Sequence, residues 1–140
     1  MGTRRKSREL TMQMLFQGDL GKQTADEVRA LFWSSRDDVD AETRGFAEDL
    51  YRVATTRQVE VDALIETHAQ NWRLERMAVV DRNLLRAAVA EMLAYPNTPG
   101  AIIINESLEI ARRYAAPESV QFLNGVLDAI SRSVLKQRLG

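Results

Sequence analysis

Apolar residues recur at helical spacing along nearly the whole chain, and the alternating apolar and polar runs typical of β-strands are nearly absent. Helix-breaking residues are also rare, since the 140 residues include only three prolines and seven glycines. A chain with this pattern folds by burying the apolar faces of helices against one another. We therefore predict an all-α fold with six or seven helices.

The predicted helices are separated by prolines and by short polar or acidic segments. Thr98 is the expected N-cap of one helix, with Pro99 at its first helical position, and Pro117 is expected in the first turn of the last helix. A break near Thr55–Thr56 is left open. The predicted ranges are about 3–20, 24–34, a long segment from the acidic residues 37–42 to about 65, 75–95, 98–114 and 117–135.

Length and composition are those of an ordinary globular protein, with 45% hydrophobic and 28% charged residues. The absence of cysteine excludes disulfides and thiolate metal sites. No apolar run approaches the roughly 18 residues of a membrane span, and the basic N-terminus lacks the apolar core of a signal peptide. We expect one domain over residues 1–140, located in the cytoplasm and without membrane association.

Residue types that support catalysis are scarce. His68 is the only histidine, and there is no cysteine to act as a nucleophile. No glycine-rich phosphate loop is present, and the acidic residues 37–42 lack the spacing and the glycine of a calcium loop. We predict that the chain is not an enzyme and that it uses no cofactor and no metal.

Four cations crowd the N-terminus, where Arg4, Arg5, Lys6 and Arg8 all precede the first acidic residue, Glu9. At the start of a helix each such cation costs roughly 0.3–1 kcal/mol, because the macrodipole is positive there. Helix stability therefore does not explain these residues, whereas a phosphate backbone would. The competing interpretation is a solvated, frayed tail.

One side of the first predicted helix carries a mixture suited to single-stranded RNA. At about 100° per residue, Arg5, Glu9, Gln13 and Phe16 lie on the same side. Cations can pair with phosphates, an amide can bond base edges, and an aromatic ring can stack on a base. For Phe16 alone, packing in the core is the commoner outcome.

Three residues further along are unusual for a helix core. Asp81 lies within the apolar stripe of its helix, where a carboxylate must find a donor or face something other than the core. Phe122 lies at the margin of the apolar face of the last helix, on the same side as Glu118. It is either a rim residue of the core or an exposed anchor for a partner.

Several runs resemble the family of bacterial transcription antitermination factors called NusB. The similarity spans nearly the whole chain and is weakest across about residues 20–70. The runs that carry it are residues 4–9 (RRKSRE), 13–16 (QMLF), 72–77 (WRLERM), 81–87 (DRNLLRA), 104–111 (INESLEIA) and 119–128 (SVQFLNGVLD).

The resemblance implies two packed three-helix units without enzymatic activity. It also implies binding of the boxA element of ribosomal RNA leader transcripts, jointly with the small-subunit ribosomal protein NusE, within an RNA polymerase antitermination complex. Some relatives dimerise through surfaces that would cover RNA sites, so a homodimer is also left open.

The resemblance further implies roles for individual residues. The basic segment of Arg4, Arg5, Lys6 and Arg8 would bind RNA, and Phe16 stands where the family often has an RNA-facing tyrosine. Asp81, Glu118 and Phe122 would lie near RNA or NusE. The predicted RNA-binding set is therefore Arg4, Arg5, Lys6, Arg8, Gln13, Phe16, Asp81, Glu118 and Phe122. The alternative function is a helical protein–protein adaptor or dimeric scaffold that does not recognise RNA directly.

Overall fold

Seven α-helices account for most of the computed structural model, which describes residues 3–70 and 72–140. Within those ranges no β-strand is present, and the predicted all-α fold of six or seven helices is confirmed. Short 3-10 turns at Trp33–Ser35 and Leu74–Arg76 precede α3 and α5. The helices are α1 (Thr3–Gly21), α2 (Ala25–Phe32), α3 (Ala41–Thr56), α4 (Gln58–His68), α5 (Val79–Ala94), α6 (Gly100–Tyr114) and α7 (Ser119–Leu139).

Local hydrogen bonds determine where several helices begin. Thr24 and Glu27 form a reciprocal capping box at the start of α2. The Asp40 carboxylate accepts a hydrogen bond of 2.7 Å from the backbone N–H of Thr43 at the start of α3. The long predicted third helix is divided at Arg57, one residue beyond the break that was left open.

Two predicted helix starts are shifted by the prolines beside them. The cap position of α6 is Pro99, in an extended conformation (φ −58°, ψ 140°), so the predicted N-cap at Thr98 is wrong. Pro117 lies before α7, which begins at Ser119. In both cases the proline directs the chain into the helix from outside it.

The helices enclose two apolar cores. The smaller core joins α1, α2 and α3, and the larger one joins α4, α5, α6 and α7, with Met12 of α1 also buried in it. The second unit therefore contains α4 in addition to the three helices that were expected. α5 contributes to both cores, because Ala87 and Ala90 face the smaller one while Leu84 and Leu85 face the larger one.

Polar contacts of α1 fix its direction relative to its neighbours. Arg8 pairs with Glu91 and Asp19 pairs with Arg82, so α1 runs antiparallel to α5. Arg5 pairs with Glu106 on α6. Further along both helices Glu9 pairs with Arg113, so α1 and α6 run parallel. The basic start of α1 therefore lies beside the end of α5 and the middle of α6.

Among the helices formed by the described residues, none is both long enough and apolar enough to cross a membrane.

Candidate functional site

The four cations at the start of α1 have different surroundings. Arg4 and Lys6 are exposed, Arg5 is half-buried, and Arg8 is buried with 8% of its surface exposed. In the sequence the four residues form one basic patch. The structure divides them according to the carboxylates that α5 and α6 bring to them.

Arg8 is neutralised inside the protein. Its Nε and Nη2 atoms donate hydrogen bonds of 2.8 and 2.7 Å to the two carboxylate oxygens of Glu91, which is only 1% exposed. A bidentate pair of this kind holds both partners in one geometry. Arg8 therefore links α1 to α5, and this contact within the fold accounts for a cation that helix stability alone does not explain.

Arg5 forms a second bidentate pair nearer the surface. Its Nε and Nη2 atoms lie 3.0 and 2.7 Å from the carboxylate oxygens of Glu106. The side chains are 36% and 21% exposed, so solvent reaches the pair. The hydrogen bonds from Arg5 hold the pKa of Glu106 below its ordinary value. Arg5 therefore also contributes to the α1–α6 contact while remaining partly accessible.

Arg4 and Lys6 supply the positive charge that faces solvent. The Arg4 guanidinium carbon lies 3.8 Å from the centre of the Phe46 ring, and within residues 3–70 and 72–140 Arg4 has no carboxylate partner. The Lys6 side chain is 47% exposed, and its ammonium lies 3.9 Å from Glu9. An incoming phosphate would meet these two cations before the others.

The predicted polar side of α1 exists and lies against α6. Glu9, which is 2% exposed, accepts hydrogen bonds from Arg113 (3.0 Å) and from the Tyr114 hydroxyl. Burial and the bond to Glu9 raise the pKa of Tyr114. The Gln13 amide donates to the Tyr114 hydroxyl at 3.2 Å, and Phe16 is half-buried against the larger core. Gln13 and Phe16 therefore present only part of their side chains to solvent.

A separate cleft lies between the 72–78 segment, α5 and the start of α7. Its volume is ≈ 380 Å³. Three of the predicted residues meet there, and five others complete the walls. The lining residues are Trp72, Arg76, Met77, Ala78, Asp81, Glu118, Ser119 and Phe122.

Asp81 is a buried carboxylate in the wall of this cleft. It is 7% exposed, and its Oδ2 atom accepts a hydrogen bond of 2.8 Å from the Ser119 hydroxyl. Its Oδ1 atom is buried and has no hydrogen-bond partner among the described residues. Burial raises the pKa of Asp81, and the bond from Ser119 only partly opposes that shift. Asp81 therefore carries one acceptor atom that no described residue satisfies, and this atom is closed off from solvent.

Two aromatic rings stand beside Asp81. Trp72 is 51% exposed, and its ring centre lies 6.1 Å from that of Phe122 in an edge-to-face arrangement. Glu118 is exposed at the start of α7. Sequence reasoning did not include Trp72 among the candidate site residues. The available signal was a large aromatic residue in a polar segment between helices.

Six of the nine predicted residues lie on two separate surfaces, whereas Arg8 is buried and Gln13 and Phe16 lie further along α1. Arg8 meets Glu91 near the end of α5, whereas Asp81 lies in its first turn. Ten residues of helix separate Asp81 from Glu91, which is roughly 15 Å. We refer below to the basic patch (Arg4, Arg5, Lys6) and to the acidic cleft (Trp72, Asp81, Glu118, Phe122).

Fold and surfaces together define an all-helical binding protein with a basic helix start at one end and an acidic, aromatic cleft towards the other. A family model described as the NusB family matches residues 5–132. This chain belongs to the NusB family.

Individual relatives agree with that assignment. The transcription antitermination protein NusB of Koribacter versatilis is 60% identical over 137 residues, which are 98% of this chain and 94% of that protein. The corresponding protein of Desulforapulum autotrophicum is 44% identical over 93% of this chain and 92% of its own length.

Solved structures give the same result. NusB of T. maritima is 31% identical and superposes with a TM-score of 0.84, covering 92% of this chain and 90% of that one. A chain from a crystal structure of the antitermination factors NusB and NusE in complex with dsRNA superposes with a TM-score of 0.85. That chain is 25% identical, and the match covers 95% of this chain and 98% of that one.

Proposed function

We propose that this chain is a transcription antitermination factor that binds boxA-type single-stranded RNA of ribosomal RNA leader transcripts together with NusE. It acts in the cytoplasm as part of an RNA polymerase-associated complex, as one RNA-binding domain over residues 1–140, and without enzymatic activity. The observation that carries this proposal is the exposed charge of Arg4 and Lys6 at the start of α1. The names of the relatives and the NusB–NusE–dsRNA complex support it.

The basic patch supplies the electrostatic part of RNA binding. Arg4 and Lys6 contact phosphates directly, and Arg5 exchanges Glu106 for a phosphate oxygen. Arg8 holds α1 against α5 and contacts no RNA, because its charge is already satisfied by Glu91. With three contacts the slope of log K against log[salt] is about −2, compared with about −3 if all four cations bound phosphates of a single strand.

Gln13 and Phe16 extend the patch along α1. The Gln13 amide, with the Tyr114 hydroxyl beside it, offers hydrogen bonds to base edges. Phe16 is half-buried, so it offers the edge of its ring and not a whole face. These contacts add a modest preference for RNA sequence, whereas most of the binding energy comes from the phosphate contacts.

The acidic cleft binds a protein partner and not the RNA backbone. Glu118 is exposed and repels phosphate, although Arg76 lines the same cleft. A cationic or N–H-bearing protein side chain can pair with Glu118 while an apolar group contacts Trp72 and Phe122. We assign this cleft to NusE. A measurement of the mass of the assembled complex will show whether a monomer or a homodimer takes part.

Charge removal tests the proposal directly. The variant Arg4→Gln/Lys6→Gln should bind a boxA-like single-stranded RNA roughly ten- to thirtyfold more weakly near 0.1 M salt, because two phosphate contacts are lost. The matched control is Arg132→Gln/Lys136→Gln, which removes two exposed cations from α7. A scrambled RNA and a duplex RNA are measured in parallel. Unchanged affinity in the first variant, or an equal loss in the control, contradicts the proposal.

A second function, a protein–protein adaptor without RNA recognition, is favoured by the acidic cleft alone. It predicts that Arg4→Gln/Lys6→Gln still binds NusE and still supports antitermination in a reporter assay. The RNA hypothesis predicts that NusE binding survives in this variant while RNA binding and antitermination are lost.

A further inference from the structure

Arg4 differs from the other arginines at the start of α1 in the group that holds it. Arg5 and Arg8 are held by carboxylates, and the Arg8 guanidinium lies 6.0 Å from the centre of the Phe46 ring. The Arg4 guanidinium instead lies over the face of Phe46, 3.8 Å from the ring centre. The π face of an aromatic ring attracts a cation without cancelling its charge. Arg4 is therefore held in place and still carries its full charge.

Phe46 is itself fixed from behind. Its ring is 9% exposed and lies 5.1 Å from that of Tyr95, at the end of α5. The Tyr95 hydroxyl donates to Asp49 on α3. Burial and this hydrogen bond raise the pKa of Tyr95 to about 12, so the hydroxyl remains a donor to Asp49 well above neutral pH. The ring under Arg4 consequently has little freedom to move.

We propose that Phe46 is a positioning residue for RNA binding: it holds the planar Arg4 guanidinium so that an unpaired base of the RNA stacks on the outer face. The N–H groups at the edge of the guanidinium remain available to a neighbouring phosphate. Because Arg4 is immobilised before RNA arrives, less side-chain entropy is lost on binding. This inference rests on the proposed function.

A double-mutant cycle tests the dependence of Arg4 on Phe46. Phe46→Leu keeps apolar volume but removes the aromatic face, and it should weaken binding of the boxA-like RNA about three- to tenfold, as expected when one long side chain must be ordered on binding. In the Arg4→Gln background the same change should have no further effect. Phe46→Tyr, which retains the aromatic face, should bind RNA as the unmodified protein does. NusE affinity, measured for each variant, reports correct folding.

A second variant tests the stacking itself at an exposed position that does not disturb the core. Arg4→Lys keeps the charge but loses the planar guanidinium. Stacking predicts that Arg4→Lys, which keeps the charge for the phosphate, still loses a measurable part of the RNA affinity that Arg4→Gln loses, whereas simple charge attraction predicts that it binds like the unmodified protein.

The outcomes separate this inference from the proposed function. If Arg4→Gln weakens RNA binding but Arg4→Lys does not, or if Phe46→Leu weakens binding equally with and without Arg4, the positioning role is wrong while RNA binding stands. If Arg4→Gln/Lys6→Gln has no effect on RNA affinity, the proposed function fails first.

Discussion

Single charged residues in this protein have opposite consequences for stability, depending on whether a partner is present. The clearest case is Arg8, whose guanidinium is buried with Glu91. Arg8→Gln leaves Glu91 as an uncompensated buried charge and should lower the free energy of unfolding by about 3–5 kcal/mol. Arg5→Gln, at a partly exposed pair, should cost no more than about 1 kcal/mol. Urea denaturation of both variants measures the difference, and equal losses would show that burial does not separate the two pairs.

Asp81 is the opposite case, a buried carboxylate with one unpartnered oxygen. Its pKa is raised by burial, so the folded state favours the protonated form and ionisation at neutral pH destabilises the protein. Asp81→Asn should therefore be more stable than the unmodified protein at pH 7. The advantage should shrink as the pH falls through the folded-state pKa and be absent below the ordinary pKa. Thermal melting between pH 7 and pH 3 measures it; an advantage independent of pH would exclude this explanation.

The same variant should bind NusE more weakly, because it removes an acidic group from the wall of the cleft. A gain in stability together with a loss of binding is the expected behaviour of a group retained for function. Titration of NusE against Asp81→Asn measures this effect, with Asp128→Asn on α7 as a matched control. Equal affinity for Asp81→Asn and the control would remove Asp81 from the partner site.

At the scale of helices, the contact between the end of α1 and the start of α5 depends on a charged network. Asp19 accepts hydrogen bonds from Arg82 (2.6 and 2.7 Å), from Asn83 (2.9 Å) and from Arg86 (3.1 Å). The bond from Arg82 is the main cause that holds the pKa of Asp19 below its ordinary value. This pairing stabilises the fold above the ordinary aspartate pKa, and the stabilisation is lost as the pH falls through the lowered pKa.

Asp19→Asn should consequently lower the free energy of unfolding at pH 7 by about 2 kcal/mol, since hydrogen bonds to a charged group are lost. The deficit should diminish as the pH is lowered, because the unmodified protein then loses the same contribution. Urea denaturation at pH 7 and at pH 3 gives the comparison. A deficit of constant size would mean that Asp19 acts through packing and not through its charge.

The helices themselves were largely predictable, because amphipathic spacing is a local property of the chain. Amphipathic spacing did not locate the division at Arg57, because the apolar pattern continues on either side of it. Val53 and Val61 are both buried. The Thr98 prediction failed for a related reason. Its side chain suits an N-cap, but the extended conformation of Pro99 moves the helix start one residue further.

The candidate site was less predictable than the helices, because its electrostatics depend on partners distant in sequence. Arg4, Arg5 and Arg8 look equivalent along the chain. Glu91 and Glu106, which distinguish them, lie more than eighty residues away along the chain. The meeting of Asp81, Glu118 and Phe122 was anticipated by the family resemblance, whereas Trp72, across the cleft from Phe122, was missed.

At the scale of the whole molecule, Asp81 in the acidic cleft and Glu91 beside the basic start of α1 lie roughly 15 Å apart along α5. Because a packed interior has low compressibility, we do not expect a shift of helices to connect the two surfaces. We expect the connection to be made from outside, by a NusE molecule that occupies the cleft and contacts the RNA bound at the patch. Coupling then arises from shared contacts in the assembled complex.

Such coupling is reciprocal. If NusE tightens RNA binding by a given factor, RNA must tighten NusE binding by the same factor, typically between about 5- and 150-fold. Phe122→Ala should weaken NusE binding and remove most of the coupling while leaving the RNA affinity of the isolated protein unchanged, because Phe122 lies in the cleft and not in the patch. Arg4→Gln/Lys6→Gln should do the reverse. Titrations of RNA with and without saturating NusE, and of NusE with and without saturating RNA, measure both factors. Identical RNA affinity in the presence and absence of NusE would mean that the two surfaces act independently, and the cleft would then serve only to attach the protein to its partner.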